Sequence, residues 1–152
     1  MVVYPSTPEE NLALCAWVAQ RIEGFVPGDA QCISVCSPTE ILAVACYNNY
    51  YPNRDIEISF ASDHPRWATK NSIGQIFAYA FEDCKVERIS ARAPKSNKRT
   101  RKLMKGIGFV EEGKLRHAGR NNESLFIYGL LREDYIERYG RQKTTTSTPP
   151  GS

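Results

Sequence analysis

The sequence has few of the residues that metal sites, thiol chemistry and membrane spans require. It contains two histidines, His64 and His117, and its five cysteines form no CxxC pair. Structural zinc sites need such pairs and thiol enzymes need a positioned histidine, so neither is expected and no metal is predicted. No apolar run reaches the roughly 20 residues of a transmembrane helix, and the first residues are not a basic segment followed by an apolar one. We expect a cytoplasmic protein without membrane contact.

What is present suits one globular domain. The chain has 152 residues and 41% hydrophobic content, enough for one core without disulfides. Four of the five cysteines lie among apolar residues, which predicts reduced core thiols. Residues 143–152 are rich in Thr, Ser, Pro and Gly and have no apolar periodicity. They are predicted to be a disordered tail after a single domain over residues 1–142.

Positive charge is concentrated in one segment. Residues 85–105 contain nine basic residues and one acid, a net charge of +8, whereas the remainder has eleven basic and sixteen acidic residues, a net charge of −5. Such a segregated field favours a polyanionic partner, either nucleic acid or the phosphates of a nucleotide cofactor. The alternative is a solvated basic face.

Apolar periodicity predicts alternating helices and strands. Helices are expected over residues 8–24, 73–83, 96–105 and 133–139, and strands over residues 32–36, 41–47, 56–60, 86–93, 109–115 and 125–131. This order predicts an α/β domain with a mixed sheet, whose parallel pair flanks the helix at 73–83. Ligands of open α/β sheets bind in the crevice at such strand ends.

A family resemblance is carried by the last third of the chain. Residues 97–109 read NKRTRKLMKGIGF, which resembles the N-x-x-A-x-x-L-Y-x-K-x-G-F run of GNAT acetyltransferases. Residues 110–116 read VEEGKLR and residues 127–132 read IYGLLR, similar to endings in the branch that includes ribosomal-protein N-acetyltransferases and short bacterial and bacteriophage members. The resemblance implies a GNAT-like mixed, mostly antiparallel sheet flanked by helices. It also implies acetyl transfer from acetyl-CoA to an amine of a protein or small molecule, in the host cytoplasm for a bacteriophage member.

The resemblance also implies where acetyl-CoA binds. In the family a glycine-rich loop, R/Q-x-x-G-x-G/A, supplies backbone donors, but here residues 65–74 read PRWATKNSIG, without glycine before Gly74. A capped helix N-terminus in this loop still offers amides to a pyrophosphate, and an ordinary capped loop is the alternative. Asn97 matches the cofactor-contacting position and also suits a helix N-cap. The implied cofactor-binding residues are Phe60, Arg66, Trp67, Ala68, Thr69, Lys70, Asn71, Ser72, Asn97, Arg99 and Arg101, with Arg99 or Arg101 favoured over Lys102.

The family's catalytic acid is missing, because the usual tyrosine position holds Met104, and a thioether cannot protonate a thiolate. Candidate catalytic residues are Ser96, Glu57, Tyr128 and His64. Ser96 matches a region where related ribosomal-protein acetyltransferases use a serine. Glu57 lies on the strand where family members often hold the carboxylate that activates the amine. The alternative to a catalytic role for Tyr128 is that it is an aromatic residue packed in the core.

The sequence therefore leaves three hypotheses for the function. The leading hypothesis is an N-acetyltransferase. The second is a catalytically impaired binding module with the same fold, suggested by Met104 and the glycine-poor loop. The third is nucleic-acid or ribosome binding through the basic segment 85–105, which predicts a steep loss of affinity with salt.

Overall fold

The computed structural model describes residues 1–140. The predicted tail at residues 143–152 lies outside them. Within residues 1–140 no helix is both long and apolar enough to cross a membrane. The elements are β1 Val2–Val3, α1 Pro8–Ala19, β2 Gln31–Cys36, β3 Ile41–Tyr51, β4 Asp55–Ser62, α2 Lys70–Ala78, β5 Arg88–Pro94, α3 Lys98–Ile107, β6 Val110–Leu115, β7 Leu125–Leu131 and α4 Arg132–Tyr139. All predicted elements are present; β1 is additional, because two residues are too short to show periodicity.

The seven strands form one sheet in the order β1-β2-β3-β4-β5-β7-β6. Every neighbouring pair is antiparallel except β4 and β5, which are parallel. This confirms the predicted mixed, mostly antiparallel sheet. The parallel pairing is short: Asp55, Ile56 and Glu57 pair with β5, and the last pair joins Glu57 to Ser90. Both strands continue beyond that pair without contacting each other as a ladder.

Helices cover the two faces of the sheet unequally. The main core lies between the sheet and α2, α3 and α4, and we call this side the three-helix face. Phe77 of α2 is fully buried there, with its ring edge-on to Phe109 and Tyr139. On the opposite side, α1 packs against β2 and β3 around Val18 and Val44, and we call this side the α1 face. Side chains alternate between the two faces along each strand.

Three cysteines form a buried thiol cluster under α1. The Sγ atoms of Cys15 and Cys32 are 3.4 Å apart, and those of Cys32 and Cys46, which are opposed in the β2–β3 register, are 2.8 Å apart. Burial raises the pKa of Cys15 to about 11, and the hydrogen bond with Cys46, followed by burial, raises the pKa of Cys32. Cys36 and Cys84 are half-buried, and all five thiols are free.

Because Cys15, Cys32 and Cys46 are buried, a reagent cannot reach their sulfur atoms, and the raised pKa of Cys15 and Cys32 also keeps these two thiols in the protonated, non-nucleophilic form. The cluster is therefore expected to be unreactive in the native protein. Ellman's reagent at pH 7.5 should modify Cys36 and Cys84 in the folded protein and the other three only after denaturation. Rapid modification of three or more thiols under native conditions would contradict this arrangement.

Candidate functional site

Beyond the last pair of β4 with β5, the two strands separate, and a cleft of about 460 Å³ lies beside the part of β4 that follows this point. From residue 58 onward β4 pairs with β3 alone, so its other edge carries unpaired backbone groups. An unpaired strand edge offers N–H and C=O groups to an extended ligand. The lining comes from the segment that follows α1, from β4, from the loop after β4, and from α3 with its N-cap: Arg21, Ile22, Phe60, Ala61, Ser62, Pro65, Trp67, Ala68, Asn97, Arg99, Thr100, Lys102 and Leu103.

Trp67 forms a fixed wall of this cleft. Its side chain is buried, and its ring lies 5.3 Å from the ring of Phe60, centroid to centroid. Ala68 follows directly and is small, which leaves backbone accessible beside the cleft. Arg66 is exposed on the short helical turn that carries Trp67. Of the sequence-predicted cofactor residues, Phe60, Trp67 and Ala68 therefore lie together at the cleft.

The start of α2 stands at the open end of the cleft. Thr69 caps the helix: its Oγ1 accepts the Ser72 N–H at 3.0 Å, and Ser72 Oγ accepts the Thr69 N–H at 3.1 Å. The Ser72 hydroxyl also donates to the Trp67 carbonyl, so it is fully used within the loop. The amides of Lys70 and Asn71 belong to the first helical turn and have no intrahelical acceptor. These two amides lie at the positive end of the helix dipole, where an anion binds favourably.

A second groove, of about 370 Å³, lies on the other side of this helix start. It is lined by Ala68, Thr69, Lys70, Ile73, Gly106, Ile107, Arg138 and Tyr139. Ala68 lines both cavities, so the two meet at the N-terminus of α2. The arrangement suits a long ligand whose anionic middle lies at the helix start, with Lys70 adding positive charge.

Asn97 serves as the N-cap of α3 and also lines the cleft. Its Oδ1 accepts the Thr100 N–H at 3.1 Å, so the capping alternative holds. Its side-chain amide group remains for a ligand. Thr100 and Leu103 follow at intervals of three and lie on the same side of the helix, in the cleft lining.

Arg101 faces away from the cleft. Its guanidinium stacks on the ring of Phe126 at 4.0 Å from the centroid and donates to the Lys95 carbonyl at 3.1 Å. Arg99 and Lys102 line the cleft instead. Of the cations considered from the sequence, Arg99 and Lys102 thus lie at the cleft and Arg101 does not, because residues three apart share a side of the helix and residue 101 lies on another side. The role of each in cofactor binding stays a prediction.

Glu57 lies at the vertex where β4 and β5 separate, as the last residue of β4 that pairs with β5, and it is not itself among the residues that line the cleft. Its neighbours Ile56 and Ile58 belong to the core of the three-helix face, so its side chain is on the α1 face. Oε1 accepts a hydrogen bond from Asn49 Nδ2 at 2.7 Å, and Oε2 is 3.9 Å from Nε of Arg92. The carboxylate is thus held in place, with a quarter of the side chain exposed to solvent.

The other catalytic candidates are not brought together with Glu57. Ser96 follows the end of β5, and that strand extends four residues, roughly 13 Å, past the vertex. Its N–H and Oγ both donate to Glu123, at 2.8 and 3.0 Å. His64 follows the end of β4, 3.4 Å from Glu40.

Tyr128 has the surroundings of a core aromatic. It is fully buried on the three-helix face, with its hydroxyl 3.4 Å from both Glu111 Oε1 and Arg101 Nε. Met104 is buried in the same core. Neither side chain lines the cleft, so neither can reach a ligand there without rearrangement.

Sequence reasoning missed four residues near the site: Asn49, Arg92, Thr100 and Glu123. Helical spacing alone could have identified Thr100, because it lies three residues after Asn97. The others are brought in by strand register and loop packing, which leave no local sequence signal.

Comparison with solved structures shows the class of fold. A chimera of spermidine N-acetyltransferase SpeG from Vibrio cholerae and hSSAT superposes with a TM-score of 0.71 at 13% identity, covering 90% of this chain and 99% of the other. A GNAT-family acetyltransferase from Bacillus anthracis superposes with a TM-score of 0.58 at 20% identity, covering 70% and 69%. The chain therefore has the fold of the GNAT acetyltransferases, which confirms the fold class predicted from the sequence.

A sequence relative is also named an acetyltransferase. It is YdaF of Bacillus subtilis (strain 168), provisionally named a ribosomal N-acetyltransferase, 27% identical over 104 residues. The match covers 60% of this chain and 54% of that protein, so it spans about half the length of the curated relative. No family model matches the chain.

Proposed function

We propose that this protein is an N-acetyltransferase that moves the acetyl group of acetyl-CoA to an amine. The observation that carries the proposal is the combination of a β4–β5 cleft, a capped helix N-terminus at its open end and a carboxylate, Glu57, at its vertex. The relatives support it, since both solved structures and YdaF are named acetyltransferases.

In this proposal the cleft orients acetyl-CoA. The amide-containing pantetheine arm lies along the unpaired edge of β4, beside Asn97, and its pyrophosphate accepts hydrogen bonds from the amides of Lys70 and Asn71. Arg99 and Lys102 supply positive charge at the cleft rim. The thioester then reaches the vertex, where a β4 backbone N–H polarises its carbonyl.

Glu57 is the proposed general base. An acceptor amine that approaches from the α1 face loses a proton to the carboxylate and forms the C–N bond as the C–S bond breaks. A thiol with a pKa of about 8.5 leaves as a stable thiolate near neutral pH and takes its proton from water. This removes the need for a protein acid, which Met104 cannot be. Ser96 and Tyr128 then have structural roles: Ser96 donates hydrogen bonds to Glu123, and Tyr128 donates one to Glu111.

Calorimetry with acetyl-CoA tests the proposal. The wild-type protein should bind, and the double variant Arg99→Gln/Lys102→Gln should bind roughly 10- to 100-fold more weakly, because charge-assisted hydrogen bonds to phosphate are lost. Arg54→Gln, an exposed arginine at the other end of β4, is the matched control and should bind normally. Undetectable binding by the wild-type protein at millimolar acetyl-CoA would refute the assignment.

The impaired binding module remains the alternative that Met104 favours. It predicts acetyl-CoA binding without release of CoA over a panel of peptides and polyamines, so thiol release with any acceptor excludes it.

The polyanion-binding hypothesis has less support, because acids outside the basic segment 85–105 neutralise part of the positive charge of that segment: Arg88 pairs with Glu112, and Arg101 with Glu111. A ribosomal-protein acceptor, in line with the name of YdaF, and a cytoplasmic location stay predictions.

A further inference from the structure

Arg92 lies beside Glu57 at the vertex but is only loosely held. Its Nε is 3.9 Å from Glu57 Oε2, beyond the roughly 2.7–3.2 Å of a direct hydrogen bond. Its side chain is 53% exposed, and among residues 1–140 this ion pair is its only polar side-chain contact. The guanidinium therefore presents most of its five N–H donors to solvent, next to the carboxylate.

Arg88 shows how an arginine with a structural role is held on the same face of β5. Its Nε donates to Ser90 Oγ at 3.0 Å, and its Nη1 and Nη2 donate to Glu112 at 3.2 and 2.9 Å. The sheet makes room for this pair at Gly129, where a Cβ would overlap both side chains. Arg92, four residues on, has no such set of acceptors. Its donors are available to a ligand at the point where the amine must enter.

We propose that Arg92 determines acceptor specificity by binding a carbonyl or carboxylate oxygen on the carbon next to the accepting amine. The inference rests on the proposed acetyltransferase function. An α-amino acyl group carries an N–H donor and an oxygen acceptor close together, and the vertex presents the complementary pair side by side. Glu57 accepts from the amine while Arg92 donates to the oxygen. The acceptor class is thus an α-amine, from a peptide N-terminus or a free amino acid.

Two physical arguments separate this class from polyamines. A polyamine has no acceptor oxygen for Arg92, and its further ammonium groups are repelled by the guanidinium. The pKa of a peptide's terminal α-amine is about 7.7–8.0, against about 10.4 for a lysine-like amine, so roughly a few hundred times more of the peptide amine is neutral at pH 7. Only the neutral amine attacks the thioester.

The test compares Arg92→Gln, Arg92→Lys and the control Arg54→Gln in CoA-release assays. The acceptors are an amide-capped peptide beginning with alanine, free L-alanine and spermidine. We expect the wild-type protein to prefer the α-amines. Arg92→Gln should lower kcat/KM for them by about 10- to 100-fold, mainly through KM, and should lower kcat/KM for spermidine much less, so that the preference for α-amines over spermidine falls. Arg92→Lys should restore part of the loss, and acetyl-CoA affinity should be unchanged in all three variants.

The two sources of an α-amine are distinguished by the wild-type rates: a higher kcat/KM for the peptide identifies a protein N-terminus, and a higher value for L-alanine identifies a free amino acid. The inference is overturned if spermidine is the best wild-type acceptor, or if Arg92→Gln stays within twofold of wild type with both α-amines. Absence of CoA release with every acceptor would overturn the proposed function itself, and the inference with it.

Discussion

Replacing Glu57 with glutamine is expected to lower kcat for acetyl transfer by about 10²- to 10⁴-fold, the usual contribution of a general base. Glutamine keeps the size of the side chain, and its amide oxygen can still accept the hydrogen bond from Asn49. It cannot take up the proton of the acceptor amine at neutral pH. Acetyl-CoA affinity should stay within about twofold, because Glu57 lies on the α1 face at the vertex, away from the phosphate-binding end of the cleft.

Two further measurements make this test specific. The residual rate of Glu57→Gln should rise with pH as the acceptor amine loses its own proton, so that the deficit shrinks above the pKa of the amine. Glu137→Gln, at an exposed position on α4, is the matched control and should retain wild-type kinetics. A Glu57→Gln enzyme with more than a third of the wild-type kcat would require a different base.

Asn49 is a positioning residue for the same carboxylate, and its position could not be inferred from the sequence. It adopts a left-handed backbone conformation, φ 54°, at an irregularity in the β3–β4 ladder. Asparagine tolerates this conformation better than most residues. The irregularity turns its side chain toward Glu57, and nothing in the local sequence specifies that turn.

Local signals explain what the sequence did predict. Thr7 caps α1 by accepting the Glu10 N–H, and Asn97 caps α3, as the residue types and spacings indicate. Helical periodicity placed α3 within two residues of its observed bounds, whereas α2 begins three residues and ends five residues before the predicted range of 73–83. The cap of α2 could also be read from the residue types, and the structure shows that the Ser72 hydroxyl is bound within this cap.

Features that depend on pairing between distant strands were beyond local reasoning. The vertex at Glu57 and Ser90 is set by where β5 diverges from β4, while the other edge of β5 stays paired with β7 along its whole length. The period-2 pattern of each strand is the same before and after that point, so the pattern cannot predict where the two strands separate. The proximity of Arg92 to Glu57 follows from the same register.

The largest expected effect on stability comes from Phe77→Ala. The Phe77 ring is fully buried on α2 and contacts Phe109, which follows α3, and Tyr139 of α4, with ring centroids 5.7 and 5.4 Å away. Its removal leaves a cavity where three helices meet on the sheet. Substitutions of this kind cost about 3–5 kcal/mol, against a total unfolding free energy of about 5–15 kcal/mol. Tm should fall by roughly 10–15 °C.

This loss bears on the site because α2 carries the proposed phosphate-binding turn at its start. Acetyl-CoA at 100 times its dissociation constant should stabilise the folded state by about 2.7 kcal/mol and so recover part of the loss in thermal unfolding. Leu12→Ala, at an apolar position that is 63% exposed on α1, is the control and should change the unfolding free energy by about 0.5 kcal/mol or less. A Phe77→Ala protein as stable as Leu12→Ala would show that packing of the Phe77 ring does not hold α2 to the sheet.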